Sequence, residues 1–303
     1  MKRIYMKIEI LLVILASLSP CWAYAHVKWF TKVAPERASM AEILNPLFII
    51  TVMLIVSLLL ILPIIIKNME NWNWSQRVEA NLKSFSNYSR CILIYGTAFA
   101  LVFQLLSGYI LAPEFHVSSN LLIGLVWGIV LLLVIPNHIG TRIGGLGVIL
   151  LYIGITLQYG FFNTLDYIFY IGIALTLFFK NKKYSIMMLY FTTGFSLCWV
   201  AMEKIVYPSM AIDIIIGHDV PHFGFSPEVF VLLCAFIEFI IGYLLCMGIL
   251  NRTLAAVITM IFISTTLIFG IKEIIGHFML HVVFIVFIIE GSKDYPMRAT
   301  RFL

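Results

Sequence analysis

The chain has 303 residues, of which 62% are hydrophobic and 12% are charged, and its mean hydropathy is +1.02. A soluble protein of this length could not bury so much apolar surface, so the composition predicts an all-α, polytopic transmembrane helical bundle. The formal net charge is +5, but the basic residues lie in short loops between apolar segments. They therefore indicate membrane topology, and we expect no nucleic-acid partner.

The first 25 residues have the pattern of a cleavable secretory signal peptide. A basic head is followed by a short apolar stretch and by the small-residue ending Ala23-Tyr24-Ala25. Cleavage after Ala25 would make His26 the new amino terminus, where a free amine and an imidazole together suit copper(II). Leu18-Ser19-Pro20-Cys21 loosely resembles a lipidation signal, and lipidation at Cys21 would remove that amine.

The rest of the chain predicts nine membrane spans. Residues 26–89 contain the periplasmic amino terminus, the first span and a cytoplasmic loop; residues 90–183 and 184–291 hold four spans each; residues 292–303 form a cytoplasmic tail. The basic connectors, including Arg142, Lys180 and Arg252, all fall on the side of the tail, which is the cytoplasmic side. The predicted spans are about 41–66, 91–112, 119–136, 143–159, 163–179, 185–207, 227–249, 253–269 and 273–290.

The two four-span segments read as an internal duplication. Arg142 matches Arg252, and Gly160 matches Gly270 at the same spacing, eighteen residues further on. The first copy is predicted to be a degenerate repeat without the ionisable groups of the second. The aligned pairs are Gly108 with Glu203, Asn163 with Glu273, Tyr167 with His277, and Ile171 with His281.

A polar stripe lies at the start of the last span. Glu273, His277 and His281 recur every fourth residue, so they share one face of a helix. Ionisable groups within a membrane are costly and rarely face lipid. With Glu203 near the outer end of its span and Glu238 near the middle of another, we expect side chains from three helices to meet near the periplasmic face.

Three chemistries fit this set, and spacing does not decide among them. A transition metal, with copper favoured, could use His277, His281 and Glu273, with His26, His218 and His222 as outer ligands. A quinone could be bound by Glu203, Glu238, Glu273, His277 and His281, since imidazole and carboxylate exchange protons with carbonyl oxygens. A proton relay is the third reading. Lys204 is expected to reach the interface or to pair with Glu203.

The residues of the second copy resemble the DoxX family of four-span membrane proteins. The resemblance covers about residues 185–291 and rests on Glu203-Lys204 with Pro208, on Glu238 with Gly242, and on Gly276-His277. It implies a bacterial inner-membrane protein, often linked to quinol chemistry or to redox enzymes, with Glu203, Glu238 and His277 as motif positions. Residues 90–180 would be the degenerate copy.

These observations together favour a redox-linked membrane protein that binds a quinone or copper at a periplasm-side Glu/His site. Its expected partners are the lipid bilayer and a redox partner protein. Two alternatives stay open: a metal-handling or transport protein, and a non-catalytic scaffold or assembly factor. Whether the protein is an enzyme is left open as well.

Overall fold

The computed structural model describes residues 27–70, 73–117 and 119–291, without the side chains of residues 65–70 and 73–75. The predicted signal peptide, His26 and the tail 292–303 lie outside the described residues. The described part consists of helices and one small hairpin. The helices are α1 (Val27–Phe30), α2 (Met40–Ile43), α3 (Pro46–Glu70), α4 (Asn73–Lys83), α5 (Ser89–Leu106), α6 (Asn120–Val134), α7 (His138–Tyr159), α8 (Phe161–Thr164), α9 (Phe169–Phe178), α10 (Lys182–Val206), α11 (Pro208–Gly217), α12 (Pro227–Cys246), α13 (Asn251–Phe269) and α14 (Ile271–Glu290).

Seven of the described helices are long and apolar enough to cross a membrane: α3, α5, α7, α10, α12, α13 and α14. An eighth span results if the segment Phe161–Tyr167, which ends in a short 3₁₀ helix, is joined to α9 across a 57° bend. The helix α6 occupies the position of the predicted span 119–136 but has only 15 residues. The helical membrane architecture is thus confirmed, and the count of nine spans stays a prediction.

Polar side chains cap the starts of several helices, and glycines separate consecutive helices. Ser119, Asn137 and Ser226 accept backbone N–H groups at the starts of α6, α7 and α12, which satisfies donors that the helix itself cannot. Gly160 and Gly270, the residues paired by the predicted repeat, adopt positive φ angles of 86° and 70° and separate α7 from α8 and α13 from α14. Glycine allows this break because it has no Cβ.

Both four-helix segments contribute to one continuous apolar core. The helices α10 and α12 cross closely at Gly194 and Gly242, while α9 and α10 join the two segments. Strands β1 (Tyr109–Ile110) and β2 (Ala112–His116) form an antiparallel hairpin after α5. In the second segment the corresponding connection holds α11 and a longer loop.

Ion pairs fasten one end of the bundle. Arg252 bonds to Glu79 at 2.6 Å and to the carbonyl of Ile288 at 2.6 Å, and Lys182 lies 2.7 Å from Glu290. We call this the Arg252 end, because the predicted cytoplasmic basic residues gather there. The opposite end, which holds α1, the hairpin, α8 and α11, is called the Lys28 end.

Candidate functional site

Lys28 lies at the centre of a buried polar cluster at the Lys28 end. Its ammonium nitrogen lies 2.6 Å from Glu203 Oε1, 3.1 Å from Asp166 Oδ2 and 3.1 Å from the carbonyl oxygen of Phe162. The ammonium group also lies 4.4 Å from the centre of the Phe162 ring. Burial lowers the pKa of Lys28, but attraction by Asp166 and Glu203 outweighs it, and the net result is a raised pKa. Lys28 is therefore a permanent cation that joins both four-helix segments.

Glu203 has a second partner on its own helix. Trp199, one turn earlier in α10, donates its indole N–H to Glu203 Oε1 at 2.8 Å. The carboxylate is 5% exposed, so it is buried in the protein and does not face lipid. Burying a carboxylate is tolerable only when charged or hydrogen-bonding partners replace water, and Lys28 and Trp199 fill that role.

Glu114, on strand β2, is a partly buried acid beside this cluster. Among the described residues its Oε1 atom has no hydrogen-bond partner. Burial and the nearby Asp166 raise the pKa of Glu114 to about 8, while Lys28 and a hydrogen bond with Tyr167 oppose the rise. Near neutral pH this carboxyl group is thus able both to donate and to accept a proton.

Trp29 connects the amino-terminal helix to the last helix. It donates its indole N–H to the hydroxyl of Tyr167 at 2.6 Å, and its ring centre lies 5.0 Å from that of His277. The indole ring presses against Gly276, where any Cβ would collide with it. Gly276 therefore makes room for Trp29, and Trp29 covers the imidazole of His277.

The Glu273–His277 pair is fully buried under this cover. His277 Nδ1 lies 3.1 Å from Glu273 Oε1, which also accepts the hydroxyl of Thr265 at 2.7 Å. The His277 ring stacks on Phe262 with a centre distance of 4.0 Å. His281 is half-buried and meets the same phenyl ring edge-on at 6.1 Å. The predicted stripe thus faces the protein interior, in a setting of aromatic rings.

Glu238 forms its own ion pair. It accepts a hydrogen bond from Lys204, whose side chain is 1% exposed. Lys204 neither reaches the interface nor pairs with Glu203, so both expectations for it were wrong. The helices α10 and α12 cross here, which brings Lys204 to Glu238 instead. Glu238 also interacts electrostatically with His277 and Asp166, so the polar groups of three helices share one region but divide into separate pairs.

The predicted metal ligands do not assemble in the described part of the chain. No group of three His, Cys, Asp or Glu side chains there could hold a metal ion. His218 lies against the rings of Phe30 and Phe269, and His222 bonds to the carbonyl of Phe225. His26 lies outside the described residues. The donor set of these described residues does not fit copper.

A cavity of about 270 Å³ opens beside the cluster at the Lys28 end. It combines aromatic walls with a few polar groups, the usual composition of a small-molecule site. Glu114 is its acid and Lys28 is its base. The lining residues are Lys28, Thr31, Val33, Pro35, Glu114, Phe115, Tyr159, Phe162, Asn163 and Met210.

No family model, curated protein or solved structure matches this chain. The resemblance to the DoxX family therefore rests on the motif residues alone and stays a prediction.

Four important residues were missed by reading the sequence: Lys28, Trp29, Glu114 and Asp166. The expectation that the first four-span segment lacks ionisable groups was wrong, because Asp166 and Glu114 both come from it. The sequence could have indicated Asp166, since it is an acid within the predicted span 163–179. For Lys28 and Trp29, the only indication in the sequence was that they lie close to the predicted cleavage site.

Proposed function

We propose that this protein binds a quinone-type ligand in the cavity at the Lys28 end and exchanges protons with it through Glu114. The observation that carries the proposal is the lone Oε1 atom of Glu114, a buried carboxyl oxygen without a partner among the described residues, in a side chain that lines an aromatic cavity. Buried polar atoms are nearly always paired, so such an atom suggests a missing partner.

The charge of the interior supports a proton-exchanging role. Within the described residues, five carboxyl groups share this region with three lysines: Glu114, Asp166, Glu203, Glu238 and Glu273 with Lys28, Lys204 and Lys272. If all eight groups were ionised, the net charge would be two negative charges. Burying such an excess is costly, which favours the retention of protons in this region. A cluster of this kind can release or take up protons when a ligand changes its own protonation.

The cavity residues have separate roles in this proposal. Phe115, Tyr159 and Phe162 supply flat apolar surface for a one-ring head group. Glu114, with a pKa of about 8, donates a hydrogen bond to a carbonyl oxygen or accepts one from a hydroxyl group. Lys28 keeps its three contacts to Glu203, Asp166 and Phe162 and holds the wall of the cavity in place. A quinone would supply the redox chemistry, since carbonyl and hydroxyl forms interconvert with two electrons and two protons.

The site proposed here differs from the one expected from the sequence. Glu273 and His277 are enclosed by Trp29 and Phe262, so they support the cavity from behind. Glu203 is held by Lys28, and Glu238 by Lys204. These side chains would act on the ligand only through the charges they place around Glu114 and Lys28.

A photoreactive azido-quinone tests the site directly. In the reconstituted protein we expect labelling at Phe115, Tyr159 or Phe162, and excess unlabelled quinone should abolish it. Labelling confined to lipid-facing positions of α3, or labelling that excess quinone leaves unchanged, would overturn the proposal. A copper titration of the same samples measures whether the metal competes with the azido-quinone for the cavity.

A non-catalytic scaffold is the second candidate. The observation that favours it is the pairing of Glu203 with Lys28, of Glu238 with Lys204 and of Glu273 with His277. In a scaffold these pairs would only hold helices together. That function predicts no displaceable labelling, together with strong destabilisation when any one pair is broken.

A further inference from the structure

Two cysteines on neighbouring helices lie with their thiols in direct contact. Cys198 is in α10 and Cys246 is the last residue of α12, and both side chains are thiols. The two side chains form a hydrogen bond with each other. Cys198 Sγ also lies 3.6 Å from the carbonyl oxygen of Phe239, and Cys246 Sγ lies 3.3 Å from that of Phe191. Neither the proposed cavity nor the ion pairs use them.

The sequence builds this contact with the same spacing on both helices. Gly194 precedes Cys198 by one turn, and Gly242 precedes Cys246 by one turn. A Cβ at Gly242 would lie 2.8 Å from the Cys198 nitrogen, and a Cβ at Gly194 would lie 2.6 Å from the Cys246 nitrogen. Only glycine allows backbones to approach this closely. A disulfide needs Cα atoms within about 7 Å of each other, and a glycine crossing favours such a separation.

The two thiols are accessible to an oxidant dissolved in the membrane. Both cysteines are half-buried, so a lipid-soluble molecule can reach them from the bilayer.

We propose that Cys198 and Cys246 form a redox-active dithiol that closes into a disulfide between α10 and α12. Two S–H bonds break and one S–S bond forms, so the pair gives up two electrons and two protons. A lipid-soluble quinone is the oxidant; it takes both electrons and both protons and leaves as the hydroquinone. The step rests on the proposed function only for the class of oxidant, because the dithiol and the cavity are different sites.

Thiol counting in the full-length, reconstituted protein tests this inference. The variant C21S/C91S/C234S retains only Cys198 and Cys246. After incubation with a short-chain quinone, free thiols are alkylated with N-ethylmaleimide and the intact mass is measured. We expect two adducts before oxidation and none afterwards, with two adducts again after dithiothreitol. The same protein with C246S added should retain one adduct throughout.

Two results would overturn the dithiol assignment. The first is that two adducts remain after quinone treatment although the thiol oxidant diamide does close the pair. The contact between the thiols would then be structural. The second is loss of adducts through dimers between chains, seen on a non-reducing gel.

The design separates this inference from the proposed function. Glu114→Gln should leave the adduct count unchanged, since Glu114 belongs to the cavity. If azido-quinone fails to label the cavity while the dithiol still closes, the proposed function fails and the dithiol assignment stands. If labelling succeeds and the thiols stay reduced, the opposite holds.

Discussion

Lys28 Nζ lies 2.6 Å from Glu203 Oε1, although 175 residues separate them in the sequence. The same nitrogen lies 3.1 Å from Asp166 Oδ2. One lysine from the short helix α1 thus holds an acid from each four-helix segment. The short helix α1 is part of the packed interior, and the charge balance of the bundle depends on Lys28.

Removing this lysine should destabilise the protein strongly. Lys28→Ala leaves Asp166 and Glu203 buried without their cation, and breaking a buried pair in this way costs about 3–5 kcal/mol. We expect a clear drop in the melting temperature of the detergent-solubilised protein. The matched control is Lys32→Ala, because the side chain of Lys32 is exposed.

Neutralising the acids should rescue part of that loss. In the background Asp166→Asn/Glu203→Gln, Lys28→Ala is expected to lower the melting temperature less than it does alone. Equal losses in both backgrounds would show that Lys28 acts by packing and not by charge.

Gly276→Ala should destabilise the protein, although alanine has a higher helix propensity than glycine. Alanine normally stabilises the interior of a helix by about 1 kcal/mol relative to glycine. Here the new methyl group would collide with Trp29, so we expect lower stability and faster trypsin cleavage after Lys28, read by amino-terminal sequencing. The control Gly154→Ala has open space around its Cβ and should not increase cleavage. A Gly276→Ala protein that resists trypsin like the wild type would show that α1 is not packed at that glycine.

Glu114 should make stability fall as pH rises. Its pKa in the folded protein is about 8, above the ordinary value of 4.5. Between these two values the folded state holds a proton that the unfolded state has released, so its stabilising effect is complete below pH 4.5 and is lost as pH rises through 8. We expect the melting temperature to decline between pH 5 and 9, and Glu114→Gln to flatten this decline. A slope that does not change in Glu114→Gln would mean that another group titrates.

Removing both members of the Lys204–Glu238 pair should cost less stability than removing the lysine alone. Lys204→Met alone leaves the Glu238 carboxyl group, which is 14% exposed, without its cation, and it should destabilise the protein by about 3 kcal/mol. The double variant Lys204→Met/Glu238→Leu removes both charges and should recover most of that loss. A double variant less stable than Lys204→Met would show that Glu238 contributes through other contacts.

The sequence predicted most helices because apolar length and flanking polar residues depend on local chemistry. The segments 185–207, 227–249, 253–269 and 273–290 each match one helix. The inward orientation of Glu273 and His277 also followed, since hydrocarbon does not tolerate ionisable groups. These predictions needed no knowledge of which helices are neighbours.

The assembly of the site could not be predicted in the same way. Docking of α1 pairs Lys28 with acids 138 and 175 residues away, and nothing near Lys28 in the sequence indicates them. The predicted repeat directed attention to positions that differ between the two segments, and Asp166 and Glu114 were therefore overlooked. The Glu/His residues were predicted to share one ligand, but the two lysines divide them into separate pairs.

Binding of a short-chain quinone to the purified protein, measured by titration at pH 7, tests the central claim most directly. At pH 7 the Glu114 carboxyl group, with a pKa of about 8, is mostly protonated and donates a hydrogen bond; leaving a buried carbonyl oxygen without its donor costs about 1–3 kcal/mol, or roughly 5- to 150-fold in affinity. We expect Glu114→Leu, which removes the donor, to weaken binding by at least about fivefold, and Glu228→Leu, at an exposed acid at the start of α12, to leave it unchanged. Equal affinity in the wild type and Glu114→Leu, or no saturable binding in either, would contradict the account.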